Sequence, residues 1–186
     1  HRRYWGELDR ATFAFGYGLM VTPLQLAHVY ATIGGYGIER PLSIARIDPP
    51  VIGTRVMPQE IVHEVEHMME SVALPGGGGT KAAVRDYRIA VKTGTAKKIG
   101  PDGKYIDKYV AYTAGVAPAS QPKFALVVVI NDPSNGKYYG GAVSAPVFSQ
   151  IMGDVLRLEN VMPDGMPQGS ENLIVMHKRE DSVPAL

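Results

Sequence analysis

The sequence predicts an α+β architecture, an antiparallel sheet flanked by helices, and three observations carry that expectation. Two segments with apolar residues at helical spacing precede a stretch whose hydrophobic pattern becomes strand-like. The strand-like segments are joined by links short enough for an antiparallel meander. A further amphipathic helix then follows the last of them. Helices before and after an antiparallel sheet define the class.

The elements follow in order. Thr22-Pro23 opens the first helix, with Thr as N-cap and Pro at the first helical position. Leu26, Val29, Tyr30 and Ile33 form its apolar stripe, and Gly34-Gly35 closes it. A second helix is expected from Pro58 to Leu74, with Ile61, Val62, Val65, Met68, Met69 and Val72 on one apolar face. The run Pro75 to Gly79 must be a loop. Arg88–Ala96, Tyr109–Ala117 and Lys123–Asn131 read as three strands. Leu126 to Ile130 has no polar alternation, so that strand is expected to be covered on both faces. Lys97 to Lys108 and Pro118 to Gln121 are read as the links. After the turn-rich Asp132 to Ser144, the residues Val147, Phe148, Ile151, Met152, Val155 and Leu156 mark a last helix that packs on the sheet. From Pro163 the chain turns polar, so residues 1–162 are expected to be the folded portion and 163–186 a loosely ordered tail.

Composition removes several classes of function. Of 186 residues, 45% are hydrophobic and 20% charged, which excludes wholesale disorder. Nineteen Lys+Arg against eighteen Asp+Glu leave a net charge of +1, which argues against nucleic acid as a partner. The longest aliphatic run, Ala125 to Ile130, is too short to cross a bilayer, and the chain does not open with a signal peptide. Cysteine is absent, so disulfide and thiolate chemistry are excluded. The start at His1, without an initiator Met, leads to the expectation of a fragment or a processed product.

Two motifs carry chemistry. Val91-Lys92-Thr93-Gly94-Thr95 lies within a predicted strand, where a glycine marks the close approach of a ligand or another backbone. Strand alternation puts Lys92 and Thr93 on opposite faces. Both serve one ligand only if it lies along an exposed edge as an added strand, as an extended peptide with a carboxylate would. A K-[ST]-G triplet arises by chance in roughly one chain in ten of this size, so the triplet alone does not decide function. The second motif, His63-Glu64-Val65-Glu66-His67, fits the H-E-x-x-H zinc-protease pattern. On a helical wheel, however, His63 and His67 lie nearly opposite the apolar stripe, which predicts a solvated face. No third histidine follows at the longer pattern's spacing. Gly76 to Lys81 lacks the phosphate-binding pattern, and Gly16-Tyr17-Gly18 lacks the last glycine of G-x-G-x-x-G.

K-T-G is also the third element of the S-x-x-K, S-x-N, K-[ST]-G set of serine β-lactamases and penicillin-binding proteins. Here it is accompanied by Phe15-Gly16-Tyr17-Gly18-Leu19-Met20-Val21-Thr22-Pro23-Leu24-Gln25 upstream. Ala114-Gly115-Val116-Ala117-Pro118-Ala119, Tyr138-Tyr139-Gly140-Gly141 and Ser144-Ala145-Pro146-Val147-Phe148 follow it. From about Arg10 to Met162 the chain thereby resembles a class B penicillin-binding protein of the division-specific type. That family comprises septal peptidoglycan D,D-transpeptidases of Gram-negative bacteria. The other two motifs do not precede K-T-G. Ser120-Gln121-Pro122-Lys123 fits S-x-x-K in letters but lies in a strand connection after it, and Ser170-Glu171-Asn172 fits S-x-N in the tail. Both are read as coincidences, so the chain is expected to be the C-terminal part of a transpeptidase domain without its nucleophile.

The resemblance implies a part of the serine β-lactamase/transpeptidase fold and an acyl transfer between stem peptides, inhibited by β-lactams. It implies that Lys92 brings positive charge to the substrate carboxylate and to the missing S-x-N serine. Thr93 and Thr95 would hold the carboxylate, the Thr95 amide would donate in the oxyanion hole, and Gly94 would let the ligand backbone lie against the strand. It further implies an aromatic wall from Tyr109, Tyr138 and Tyr139, with Tyr17 on the opposite rim. No cofactor is called for. The implied partners are stem peptides, β-lactams, the missing N-terminal part and division proteins of the membrane. The implied place is the periplasmic face of the inner membrane, with an N-terminal anchor outside this chain. A zinc hydrolase using His63, Glu64 and His67, or a non-catalytic peptide-binding module, stands as the alternative.

Overall fold

The computed structural model describes residues 6–16 and 18–165. A short helix, α1 (Glu7–Phe13), which the hydrophobic pattern does not announce, precedes α2 (Pro23–Gly34). Thr22 caps α2 reciprocally: the Gln25 amide donates to Thr22 Oγ1 at 3.2 Å, and the Thr22 amide donates to Gln25 Oε1 at 2.9 Å. Its buried side runs along Leu26, Tyr30 and Gly34. A Cβ at Gly34 would stand 3.0 Å from Pro122 and 3.2 Å from Val116, so the helix comes down on the sheet at this residue. Val29, expected in the stripe, lies off that row and is 52% exposed.

A small antiparallel ribbon, β1 (Ile38–Glu39) with β2 (Thr54–Arg55), leads to α3 (Gln59–Glu70). The helix is shorter than expected, because Ser71–Ala73 tightens into a 3₁₀ turn. Its orientation also differs. Val62, Glu66 and Met69 are buried, whereas Ile61 and Met68 of the predicted stripe are exposed. At the helix end Arg88 donates to both oxygens of Glu70 at 2.8 Å and ties α3 to the chain entering the sheet.

The main sheet is an antiparallel meander in the order β3-β4-β5, with β3 (Ala90–Ile99), β4 (Tyr105–Ala117) and β5 (Phe124–Asn131). All three expected strands are present. The expected link Lys97–Lys108 is mostly strand, because β3 and β4 continue as a two-stranded overhang past the end of β5. The connection shrinks to Gly100–Lys104, closed by the Gly100 amide on the Lys104 carbonyl at 2.8 Å. Lysines dominate this overhang, and it shows no apolar alternation to read.

Each sheet face carries helices. On one, Val91 and Val128 meet Phe148, Met152 and Leu156 of α5 (Ala145–Leu158); on the other, Ala90, Ala114 and Val116 meet Tyr30 of α2 and Met69 of α3. The buried row of α5 is again narrow, leaving Val147 and Ile151 of the expected stripe partly exposed. The strand β5 is covered on both faces as expected only in part, since Val129 is 36% exposed beyond the reach of α2. A buried polar chain joins β4 to the start of α5. Ser144 Oγ donates to the Gly140 carbonyl at 2.9 Å, which leaves Thr113 Oγ1 to donate to Ser144 Oγ at 2.8 Å.

Residues 163–165 hold to the sheet. Asp164 accepts from the Arg88 amide at 2.7 Å and from the Ser120 amide at 3.0 Å, and the Gly165 amide donates to the Asp86 carbonyl. The expected tail beyond them lies outside the described residues.

Candidate active site at the free edge of β3

Among the described residues the strand β3 has a hydrogen-bonded partner on one side only. Lys92 pairs with Ala114, Gly94 with Tyr112 and Ala96 with Val110, which puts Lys92 on the α2 face. Thr93 and Thr95 alternate to the other face, where Thr93 pairs with the buried Thr113. The free edge lies between the two faces.

On the α2 face, Lys92 donates through its ammonium to the Thr93 carbonyl oxygen at 2.7 Å. It lines a cavity of about 760 Å³ together with Thr93, Gly94, Thr95, Tyr112, Met20 and Leu26. Tyr112 is a site residue that sequence reasoning missed. A Cβ at Gly94 would stand 2.1 Å from its Cζ and 2.4 Å from its hydroxyl, so the glycine makes room for a cross-strand aromatic ring. Gly94 therefore answers to a neighbour within the sheet. Only the register reveals that pairing.

On the other face, a cleft of about 440 Å³ is lined by Lys81, Thr93, Thr95, Tyr139 and Gly140. The Gly140 amide donates to Thr95 Oγ1 at 3.0 Å. That bond occupies a lone pair and leaves the hydroxyl hydrogen free to donate to a ligand. Gly140 is placed by close packing, since a Cβ there would lie 2.6 Å from the Gly94 carbonyl oxygen. The helix α4 (Gly140–Val143) thus starts against the backbone of β3.

The three expected wall tyrosines come together. Tyr109 stacks on Tyr138 with centroids 4.0 Å apart and planes at 13°, and Tyr138 meets Tyr139 at 4.6 Å. The hydrogen bond shared with Tyr138, and then the charge of that phenol, push the Tyr139 phenol above its ordinary pKa. Lys97 lies 5.5 Å from the Tyr109 centroid and 3.6 Å from Asp107, and Tyr109 first, then Asp107, hold its ammonium in the charged form. Tyr17 lies outside the described residues.

The remaining motifs are elsewhere. His63 and His67 face solvent on α3, each 3.6–3.8 Å from a glutamate of the next turn, Glu66 and Glu70 respectively. Glu64 is exposed as well. Among the described residues no group of three metal-ligating side chains forms. Ser120 sits in the turn after β4, its amide bonded to Asp164 beside Arg88 rather than near Thr95. Ser170 and Asn172 lie outside the described residues.

A model of the penicillin binding protein transpeptidase domain matches residues 1–153. The peptidoglycan D,D-transpeptidase FtsI of Escherichia coli strain K12 is 70% identical over 179 residues, covering 96% of this chain and 30% of the relative. The probable peptidoglycan D,D-transpeptidase PenA of Neisseria gonorrhoeae is 40% identical over 162 residues, covering 87% of this chain and 28% of the relative. The apo transpeptidase domain of Burkholderia pseudomallei penicillin-binding protein 3 superposes with a TM-score of 0.81 at 41% identity, over 88% of this chain and 50% of that one. The chain thus spans less than a third of the length of these curated relatives. An edge strand bearing K-T-G, a facing tyrosine wall and a match over most of the sequence converge on one conclusion: the chain belongs to the penicillin-binding protein transpeptidase domain family.

Proposed function

We propose that this chain forms the K-T-G wall of a serine D,D-transpeptidase that cross-links peptidoglycan stem peptides and is acylated by β-lactams. The observation that carries the reading is the free edge of β3, with the Thr95 hydroxyl hydrogen available beside it. An extended peptide pairs with such an edge as an added strand. Its terminal carboxylate then accepts from Thr93 and Thr95, with the charge of Lys92 close by. A serine from another part of the full-length protein attacks the penultimate D-Ala carbonyl. The oxyanion that forms is stabilised by the Thr95 amide, a contribution of about 3–4 kcal/mol for such a donor. The C–N bond breaks, D-Ala leaves with a proton, and an amine of a second stem takes the acyl group and restores the serine. Tyr109, Tyr138 and Tyr139 flank the bound acyl chain. The setting that fits is septal wall synthesis at the periplasmic face of the inner membrane, with membrane proteins of cell division as partners.

Intact mass and peptide mapping of the full-length protein after treatment with penicillin test this reading. A single acyl adduct is expected on a serine outside these 186 residues. An adduct on Ser120 or on any other serine of this chain would contradict it.

A further inference from the structure

Four lysines stand on or beside the K-T-G strand, and three of them are engaged, Lys98 through Asn131 Oδ1 at 3.1 Å. Lys92 bonds the Thr93 carbonyl from the α2 face, and Lys97 is held by Asp107 and the Tyr109 ring. Lys81 differs. It lies in the 3₁₀ turn Thr80–Ala82 and lines the cleft that contains Thr93 and Thr95. Among the described residues its ammonium makes no hydrogen bond or ion pair.

The backbone beneath Lys81 is fixed. The Gly79 amide donates to the Val72 carbonyl at 3.0 Å, the Ala82 amide to the Gly79 carbonyl at 2.8 Å, and Ala82 is fully buried. A Cβ at Gly79 would lie 3.1 Å from Thr93 Cγ2, and one at Gly141 2.2 Å from the Gly78 carbonyl oxygen. The glycine-rich loop is therefore wedged between β3 and the loop after Tyr139. The glycines serve packing, and Lys81 emerges from them beside the threonines.

The polar inventory of this cleft is one-sided. Thr93 Oγ1 has no partner among the described residues, Thr95 has its hydroxyl hydrogen to give, and no carboxylate lines the space. Donors with one unneutralised ammonium suit an anion. We propose that Lys81 is the cationic partner of the ligand carboxylate held by the Thr93 and Thr95 hydroxyls, and so a specificity-determining residue for carboxylate-bearing peptides and β-lactams. The ligand class rests on the transpeptidase reading above. Lys92, across the strand, serves the edge from the other face.

The test uses the full-length protein with Lys81→Gln and Lys81→Arg. Acylation is measured with a penicillin bearing its free carboxylate and with the methyl ester of the same compound. Binding of N-acetyl-D-Ala-D-Ala and of its C-terminal amide is read separately by NMR titration. Lys81→Gln should lower the second-order acylation constant for the free acid by about tenfold, the scale of a lost charge-assisted hydrogen bond. The loss should fall on binding rather than on the acylation step, the ester should be unaffected, and Lys81→Arg should restore most of the rate. Equal rates in wild type and Lys81→Gln, or an equal loss for acid and ester, would overturn the assignment while leaving the transpeptidase reading intact. A protein that binds the dipeptide acid through Lys81, yet is never acylated, would support this assignment and defeat that reading instead.

Discussion

The Gly140 amide donates to Thr95 Oγ1 at 3.0 Å, and through this bond the loop bearing the tyrosine wall is tied to the K-T-G strand. The same contact sets the direction of the Thr95 hydroxyl hydrogen, which is left to the cleft. The backbone of Gly140 lies so close to β3 that no side chain fits between them. The position of Tyr138 and Tyr139 and the polarity of the strand edge are therefore consequences of one packing arrangement.

Gly94 and Tyr112 should behave as a coupled pair. Gly94→Ala drives a methyl into the Tyr112 ring and should cost about 1–3 kcal/mol of stability. Adding Tyr112→Ala removes the obstacle, so the double variant should lose less than the sum of the two single changes. Thermal or denaturant unfolding of the three variants measures this, and strict additivity would contradict it.

The buried hydroxyl chain predicts an asymmetry between its two ends. Ser144→Ala leaves Thr113 Oγ1 without its acceptor in a buried site and takes one of two bonds from the Gly140 carbonyl, which keeps the residue 144 amide at 3.0 Å, whereas Thr113→Val removes the terminal donor with nearly unchanged shape. Ser144→Ala should therefore destabilise by about 1–3 kcal/mol and exceed Thr113→Val. The reverse order in unfolding measurements would refute the donor directions assigned here.

Glu66 predicts a pH dependence. It is 4% exposed, and its Oε1 has no hydrogen-bond partner among the described residues. Burial pushes its carboxyl above the ordinary value, His63 pulls partly back, and Glu70 adds to the rise. The folded protein thus keeps this proton where the unfolded chain has lost it. The contribution to stability is fully present below the unfolded-state pKa and declines as pH rises through the folded-state pKa. Glu66→Gln should be more stable than wild type at neutral pH, with the advantage shrinking as pH falls. An advantage that grows toward acid would reverse the sign and contradict the assignment.

The sequence made the meander legible because its strands have dense apolar runs, and the Thr22-Pro23 start of α2 because a reciprocal cap is a local signal. Helix rotation was less legible. Val29, Ile61 and Ile151 satisfy helical spacing as well as their buried neighbours do, and only the docking of each helix on the sheet separates them. Glu66 was hidden for the same reason, being a charged residue on the buried row of α3. At the site, alternation placed Lys92 and Thr93 on opposite faces, and the structure agrees. Tyr112, Lys81 and the bond from Gly140 to Thr95 depend on register and on contacts between distant loops, which no local pattern encodes.

The central claim is that Lys92 works through its charge at the edge of an acyl-transfer site. The direct test is the second-order acylation constant of the full-length protein with a penicillin, for Lys92→Ala, Lys92→Met and Lys92→Arg. Lys92→Ala and Lys92→Met should both fall by at least about tenfold with the fold retained, because each removes a charge-assisted donor in a partly enclosed site. Lys92→Arg should recover only part, since a planar fork differs from an ammonium in reach and geometry. A Lys92→Met variant that acylates at the wild-type rate would show that the lysine contributes only its apolar stem, and would contradict the claim.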